Sequence, residues 1–516
     1  MQQSQSKQQV GGILGFIERI GNKIPDITIL FISAFLLVCV VSAVLAQIHF
    51  NYVHPATGRS IEITNMLSGK ALVDLMSKMV TNYANFPPLS MVIVATLGIG
   101  IADGSGYINT GLKKILSITP KVLITPVVIL VGMLSHLGPD SGYVIIIPIA
   151  AYMFYAVGKH PLAGIAASFA GIAGAFAANY TPSAIDPVIQ GFTQSAAQII
   201  DPGYQVNVLC NYFYAFASTF IVIGACWWVT EKITNPWLWK ACPLDDDLDL
   251  GNENNSSITP SENRAFKIAT AVLLLMLTGL AAALYPADSI LRAPDGVIAS
   301  FKAPIMQSIV SLIFIFAALV GLVYGIACGK FKSPKDVTAA MEEITKTLVQ
   351  LIVFYFFAAQ FLYAFGASNM GALIAVSGAE FLKSLNLPPQ VTVFGIIVFV
   401  ALLNLIITSA SAKWAILAPI FVPMLMAVGI APELTQVAFR VSDSAVNVVT
   451  PMFAFYPLII LYCQKYVKNA GIGTLSSMML PYTIALLVSL TFMLYLFWWL
   501  DIPLGFQADY VYPRRF

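Results

Sequence analysis

Seven apolar stretches, each long enough to cross a lipid bilayer, constrain the fold of this chain more than any other feature. A spanning helix needs about 20 consecutive apolar residues. The 516-residue chain is 58% hydrophobic and only 10% charged, so it lacks the polar side chains that would cover a water-soluble surface. The sequence therefore predicts an all-α, multi-pass membrane protein with full-length spans near 27–47, 89–112, 207–230, 265–285, 305–328, 347–366 and 477–499.

Shorter apolar segments are interrupted by polar motifs that occur twice. The first copy reads Asp-Ser-Gly-Tyr-Val-Ile-Ile-Ile-Pro over 140–148 and Asn-Tyr-Thr-Pro over 179–182. The second reads Ser-Ala-Lys-Trp-Ala-Ile-Leu-Ala-Pro over 411–419 and Asn-Val-Val-Thr-Pro over 447–451. Broken spans are tolerated only where the backbone is buried or lines an aqueous cavity. Broken spans at corresponding positions of two halves indicate the binding site of a secondary transporter.

The chain divides into a first half over 1–230, a hydrophilic linker over 231–264 and a second half over 265–516. Lysine and arginine residues flank the spans on the side of the linker, which the positive-inside rule places in the cytoplasm as a surface loop. On this orientation the segments leading into the two motifs enter the membrane from opposite sides. We therefore expect inverted repeats with two re-entrant hairpins, an arrangement that allows alternating access.

Charged residues at predicted membrane depth cost about 2.5–3.5 kcal/mol each on insertion scales, so they seldom persist without a use or a partner. Arg440 and Asp443 are three residues apart, share one helix face and are expected to pair. In the functional interpretation Arg440 anchors a substrate carboxylate beside a cation-linked Asp443, whereas the alternative is an internal ion pair that only orients the helix. Asp186, past the first break, either titrates during transport or caps a half-helix. The complete set is Asp103, Asp140, Asp186, Lys413, Arg440 and Asp443, with loop or cap roles equally open for Asp103 and Asp140.

Each Asn-Thr-Pro break presents oxygen atoms that suit a sodium ion. Pro182 and Pro451 each remove a helix hydrogen bond and disfavour helical geometry in the preceding residue. The freed carbonyls, together with nearby side-chain oxygens, predict two pseudo-symmetric cation sites. The side chains are Asn179, Thr181, Asn447, Thr450, Ser135, Thr408, Ser409, Ser411 and Asn404.

Tyr143 and Trp414 occupy matched places, each five residues before a proline. Either side chain stacks on an aromatic substrate or fills a gap between helices. His136 is a proton carrier or a histidine held by hydrogen bonds. The six scattered cysteines form no CxxC or Cys/His cluster, so neither zinc nor a disulfide framework is indicated. A net charge of +2 gives no indication of nucleic acid binding.

The motifs resemble those of the AbgT family of aminobenzoyl-glutamate transporters and sulfonamide efflux pumps. The likeness is carried by 138–143, 178–187, 411–419 and 440–451 and extends over nearly the whole chain. It implies a homodimer whose protomers have about nine spanning helices and two hairpins, similar to the wider ion-transporter superfamily. It also implies functional roles at Asp186, Asn404, Ser411, Trp414, Pro432, Arg440, Asp443 and Pro451, with Asn404 and Asp443 in a sodium site.

We therefore expect a transporter of p-aminobenzoyl-glutamate or related aromatic amides, sulfonamides included, in the bacterial inner membrane, coupled to sodium and/or protons. A sodium-coupled dicarboxylate carrier is the alternative. An intramembrane enzyme is disfavoured because the sequence lacks GxSxG and HExxH motifs. The expected partners are a small-molecule substrate, membrane lipid and a second copy of the chain. Predicted substrate or transport residues are Asp186, Ser411, Trp414, Pro432, Arg440, Asp443, Pro451, Asn179 and Asn447, and predicted sodium ligands are Asn404, Asp443, Asn447 and Thr450.

Overall fold

A computed structural model describes residues 25–53, 58–137, 141–245, 258–300 and 302–513. Within these ranges the chain is helical and contains no strand, only the isolated bridges Val53 to Ser60 and Ile430 to Val511. The helices of the first half and the linker are α1 (Ile27–Leu45), α2 (Gly69–Ala84), α3 (Pro87–Ser105), α4 (Tyr107–Ser117), α5 (Ile124–Leu134), α6 (Ser141–Ala156), α7 (Pro161–Phe169), α8 (Ile185–Ala197), α9 (Tyr212–Val229) and α10 (Asn235–Ala241).

The second half contains eleven further helices. They are α11 (Pro260–Leu284), α12 (Pro304–Gln307), α13 (Ile309–Ala327), α14 (Pro334–Lys346), α15 (Val349–Ala367), α16 (Met370–Ser384), α17 (Pro389–Asn404), α18 (Ala410–Met426), α19 (Pro432–Val446), α20 (Tyr456–Gln464) and α21 (Ile472–Trp499). Two π-helical turns, Ala170–Gly174 and Thr230–Thr234, continue α7 and α9.

All seven predicted full-length spans are confirmed as helices long and apolar enough to cross a membrane. The described residues hold up to eight such spans if α16 and α17, bent by 117° at their junction, count as one. The prediction of about nine spans thus stays a prediction. The helix α16 was missed by the sequence analysis.

The linker differs from the predicted loop in the part that the structure describes. The helix α9 continues through the π-helical turn into α10 and ends at Ala241, and α11 already begins at Pro260. The helix continues because Leu238 is an apolar side chain that is fully buried. The start of the predicted linker therefore packs against the bundle. Thr259 accepts a hydrogen bond from Glu262 N–H, which fixes the beginning of α11.

Corresponding short elements follow one another in the same order in both halves. We call the pair α5 and α6 hairpin 1 and the pair α17 and α18 hairpin 2. Their re-entrant course through the membrane stays a prediction. After each hairpin comes a broken helix, interrupted over 175–184 in the first half and over 447–455 in the second. A long helix, α9 or α21, ends each series. This order supports the predicted repeat, and its inverted orientation stays a prediction.

The helices of the broken segments pack with their backbones in close contact. A Cβ atom built on Gly171 would lie 2.5 Å from the backbone oxygen of Ile129, a distance that real side chains do not show. Only glycine therefore lets the π-helical turn after α7 approach α5. In the second half every residue of α19 is buried, including its charged ones. Buried polar and charged groups need partners, so the contacts of the charged residues of α19 indicate where a functional site lies.

Candidate functional site

An ion pair between the two halves of the chain lies at the centre of the bundle. Arg440 Nη1, on α19, is 2.7 Å from Asp186 Oδ1 in the first turn of α8, and both side chains are nearly buried. The second guanidinium nitrogen, Nη2, has no acceptor among the described residues. Arginine presents its nitrogens as a fork that matches a carboxylate, so Arg440 retains donor capacity for a second anion.

Asp186 is held in place by the residues of the first break. Its Oδ2 atom accepts hydrogen bonds from the backbone N–H of Ser183 at 2.7 Å and from the Ser183 hydroxyl at 3.0 Å. The helix dipole of α8 also favours a negative charge at this end. The carboxylate therefore serves as both a helix-terminal anion and the partner of Arg440. These contacts support the cap interpretation of Asp186, and its role during transport stays a prediction.

A second buried ion pair connects Asp443 to Lys413 of hairpin 2. Lys413 Nζ lies 2.7 Å from Asp443 Oδ1, and each side chain is 1% exposed. The contact pairs two opposite charges that burial would otherwise leave uncompensated. The expected pairing of Arg440 with Asp443 is therefore wrong. Although they share a helix, Arg440 is drawn to α8 and Asp443 to α18, because each finds an opposite charge there.

The predicted sodium ligands of the second half lie together, and the ammonium of Lys413 lies among them. Asn404 Oδ1 accepts a hydrogen bond from the Lys413 ammonium, which occupies the place of a cation. Asn404 Nδ2 donates to the Asp443 backbone oxygen at 2.7 Å and to Asn447 Oδ1 at 3.1 Å. The Thr450 hydroxyl donates to the Leu405 backbone oxygen at 2.7 Å. The side-chain oxygens of Asn404 and Asn447 thus already accept hydrogen bonds from protein donors.

A cavity of about 270 Å³ lies beside hairpin 1 and the first break. Its lining includes the predicted residues Ser135, His136, Tyr143 and Ser411, together with Ser183, the residue that holds Asp186. The aromatic side chains of Phe176 and Tyr355 also line its walls. Ligand sites are commonly apolar clefts of about 300–1,000 Å³ with a few polar groups, so this cavity suits a small aromatic molecule.

The first Asn-Thr-Pro break places Asn179 against His136. Asn179 Oδ1 lies 2.5 Å from His136 Nδ1, and His136 Nε2 lies 2.7 Å from the Ile172 backbone oxygen. The imidazole is thus held by hydrogen bonds on both nitrogens, as the second interpretation of His136 has it. Thr181 is exposed and lies apart from this contact.

Trp414 lies behind the site and does not line the cavity. It is fully buried, stacks on Phe439 at 4.4 Å between ring centroids and donates its indole N–H to Thr193 Oγ1 at 2.9 Å. The same threonine donates to Gln436, which in turn donates to Asn211. Trp414 thus fills the gap between α8, α18 and α19. Its matched partner Tyr143 does line the cavity and stacks on Phe455 at 4.1 Å.

Other predicted residues lie farther from the ion pairs. Pro432 is the buried first residue of α19, and Pro451 lies in the second break directly after Thr450. Thr408 and Ser409 line a separate cavity at the turn of hairpin 2. Asp103 lies in the last turn of α3. Asp140, also singled out from the sequence, lies outside the described residues.

Lys413 is the main residue whose role the sequence analysis missed. It was recognised as a charge at membrane depth but assigned no partner. Charge balance was the available signal: Asp186 and Asp443 cannot both be neutralised by Arg440 alone, and Lys413 restores the balance. Across the described ranges no group of three His, Cys, Asp or Glu side chains could hold a metal ion.

Comparison with known proteins places the chain among membrane transporters. The profile of the AbgT putative transporter family matches residues 12–512. The p-aminobenzoyl-glutamate transport protein of Escherichia coli K12 is 32% identical over 511 residues, which cover 99% of this chain and 98% of that protein.

Two solved structures are similar over nearly their entire length. The MtrF protein of Neisseria gonorrhoeae, which belongs to a class of antimetabolite efflux pumps, superposes with a TM-score of 0.90 at 39% identity, covering 96% of this chain and 100% of that one. The YdaH transporter of Alcanivorax borkumensis superposes with a TM-score of 0.87 at 37% identity, covering 93% and 100%.

Proposed function

Because this chain belongs to the AbgT family, we propose that it carries p-aminobenzoyl-glutamate or a related aromatic amide, sulfonamides included, in exchange with or alongside a cation. The family is one of membrane transporters, which confirms the prediction of a multi-pass protein of the bacterial inner membrane rather than an enzyme. The names of two relatives support the choice of substrate, since one transports p-aminobenzoyl-glutamate and the other belongs to a class of antimetabolite efflux pumps.

The observation that carries the proposal is the buried Asp186–Arg440 pair between the broken segments of the two halves. A substrate carboxylate can take the free Nη2 position of Arg440 or compete with Asp186 for the guanidinium. Either event changes the strongest contact between α8 and α19, because ion pairs are weakly screened away from water. Substrate binding is thereby linked to the relative position of the two halves, as alternating access requires.

The aromatic ring of the substrate is assigned to the cavity beside hairpin 1 rather than to Trp414. Tyr143 and Phe176 line this cavity, whereas Trp414 does not line it and is packed against Phe439. Offset stacking between aromatic rings contributes about 0.5–1.5 kcal/mol beyond burial. Ser183 lines the cavity and binds Asp186, so the cavity and the ion pair are adjacent. A molecule with a ring and a carboxylate matches this combination.

The coupling cation is assigned to the second ion pair. Sodium or a proton would compete with the Lys413 ammonium for the Asp443 carboxylate. Asn404 joins Lys413 to Asp443 and Asn447, so separation of the pair would move hairpin 2 relative to α19. We further propose a homodimer of protomers, each with two repeat halves divided near the linker 231–264.

Flux in proteoliposomes tests the proposal. Radiolabelled p-aminobenzoyl-glutamate is supplied with a sodium gradient or a pH gradient imposed separately, for the native protein and for Asp443→Asn. The matched control is Glu231→Gln, an acid paired with Lys159 outside the site. We expect flux to follow one gradient, to be lost in Asp443→Asn and to persist in Glu231→Gln. Competition by succinate instead of sulfonamides, or undiminished coupled flux in Asp443→Asn, would refute the assignment.

A further inference from the structure

A second cavity, of about 620 Å³, opens where α9 ends and the linker begins. It is lined by lysines from three segments: Lys121 before α5, Lys159 between α6 and α7, and Lys232 in the π-helical turn after α9. We propose that this basic cleft binds the phosphodiester headgroup of an anionic phospholipid. The proposal is independent of the transported substrate and goes beyond the general expectation of a lipid environment.

The cleft carries uncompensated positive charge. Three lysines and one acid, Glu231, line it, which leaves an excess of two positive charges. Lys159 forms an ion pair with Glu231, and its ammonium donates to Thr125 at 3.0 Å. Within the described parts of the chain, neither Lys121 nor Lys232 has a carboxylate within 4.0 Å. These two ammonium groups are therefore available to an anion.

An exposed aromatic stripe leads along α9 to the cleft. Phe213, Phe216 and Phe220 are 36%, 43% and 61% exposed, and they are spaced by three and four residues, which puts them on one helix face. The same spacing continues to Gly224 and to Trp228, which is 58% exposed and lines the cleft. The stripe from 213 to 228 is about 22 Å long at 1.5 Å per residue. An acyl chain can thus lie on it with its headgroup at the lysines.

Tryptophan and glycine give the cleft the shape that a lipid requires. Trp227 and Trp228 both line it, and tryptophan is enriched at the level of lipid headgroups because its ring is amphipathic. A Cβ atom built on Gly224 would meet nothing within 4 Å, so the helix surface leaves open space between the aromatic side chains and the lysines.

A lipid fits this cleft better than a soluble anion. The apolar wall includes Val122, which is 78% exposed, and it continues into the stripe on a helix apolar enough to span the membrane. A soluble phosphate would leave this wall without a partner. Basic pockets between membrane helices on the side richer in lysine and arginine are known to bind anionic headgroups.

Native mass spectrometry of the purified full chain, with phosphatidylglycerol or phosphatidylcholine added, tests the proposal. We expect phosphatidylglycerol to be retained and to raise the melting temperature, and phosphatidylcholine to do neither. In the double variant Lys121→Gln/Lys232→Gln, affinity for phosphatidylglycerol should fall roughly 30-fold, as expected for two lysines near a membrane surface. The matched double variant Lys332→Gln/Lys335→Gln removes two exposed lysines outside the cleft and should behave like the native protein.

A second pair of variants separates a shaped site from general attraction. Gly224→Leu fills the cleft without meeting another atom at Cβ and should abolish phosphatidylglycerol retention, whereas Gly279→Leu, equally open in α11, should not. Equal retention by both leucine variants, or equal loss in both lysine pairs, would overturn the proposal. It would also be overturned if glycerol phosphate alone reproduced the melting shift, or if the cleft variants altered p-aminobenzoyl-glutamate binding instead of lipid binding.

Discussion

Lys413 and Asp443 should depend on each other, so that loss of one partner destabilises the fold. Both side chains are 1% exposed, so removal of either charge leaves the other without compensation in a region that excludes water. Breaking a buried ion pair by removing one partner costs about 3–5 kcal/mol, whereas replacing both by apolar groups is often neutral. We therefore expect Lys413→Met and Asp443→Leu each to lower the free energy of unfolding by about 3–5 kcal/mol.

The double variant Lys413→Met/Asp443→Leu should recover most of that loss and remain unable to couple transport to a cation. Unfolding by denaturant in detergent micelles measures the stability, and flux in proteoliposomes measures the coupling. The control pair is Lys159→Met and Glu231→Gln, whose side chains are 21% and 27% exposed. This pair is more exposed and better screened by water than Lys413–Asp443, so these variants should cost clearly less than about 3 kcal/mol each. Additive losses in the Lys413/Asp443 double variant would refute the reasoning.

Three further changes follow from local packing and charge. Trp414→Phe should cost about 1 kcal/mol of stability because it loses one buried hydrogen bond, and its KM should be unchanged. Tyr143→Leu at the cavity should instead raise KM. Melting curves and uptake curves of both variants check these expectations. Gly171→Ala should cost about 1–3 kcal/mol through overpacking. Gly279→Ala, inside α11 with nothing within 4 Å, should instead stabilise by about 0.5–1 kcal/mol in the same melting experiment because alanine favours the helix. Two backbone N–H groups hold the pKa of Asp336 below its usual value. Its stabilisation of α14 is therefore present above the unfolded value of about 3.9 and is lost as pH falls through the lowered folded value. Hydrogen exchange in α14 should show this loss, and it should be absent in Asp336→Asn.

The fold was largely predictable because apolar length and proline breaks act locally. Each of the seven long spans follows from a run of apolar residues, and both breaks occur where Pro182 and Pro451 stand. The helix α16 was missed since it is neither long nor interrupted. The continuation of α9 into the linker was missed because charges at 231 and 232 mask the buried Leu238 beyond them.

The sequence predicted which residues form the site but not which of them contact one another. The residues Asp186, Arg440, Asp443 and Asn404 do meet, but their pairing depends on how α8 and α18 approach α19. Helix periodicity puts Arg440 beside Asp443, whereas tertiary packing offers each a closer opposite charge. No local pattern indicates that Trp414 faces Phe439 while Tyr143 faces the cavity. Counting opposite charges at membrane depth would have found the role of Lys413.

The most direct test of the central claim is equilibrium binding of two ligands to the native protein and to Arg440→Gln. One ligand is p-aminobenzoyl-glutamate, and the other is p-aminobenzamide, which has the ring and amide but no carboxylate. A hydrogen bond to a charged group contributes about 1.5–3 kcal/mol, or roughly 10- to 150-fold in affinity. We expect Arg440→Gln to weaken binding of the first ligand by this factor and to leave that of the second unchanged. Equal weakening of both ligands would contradict the account.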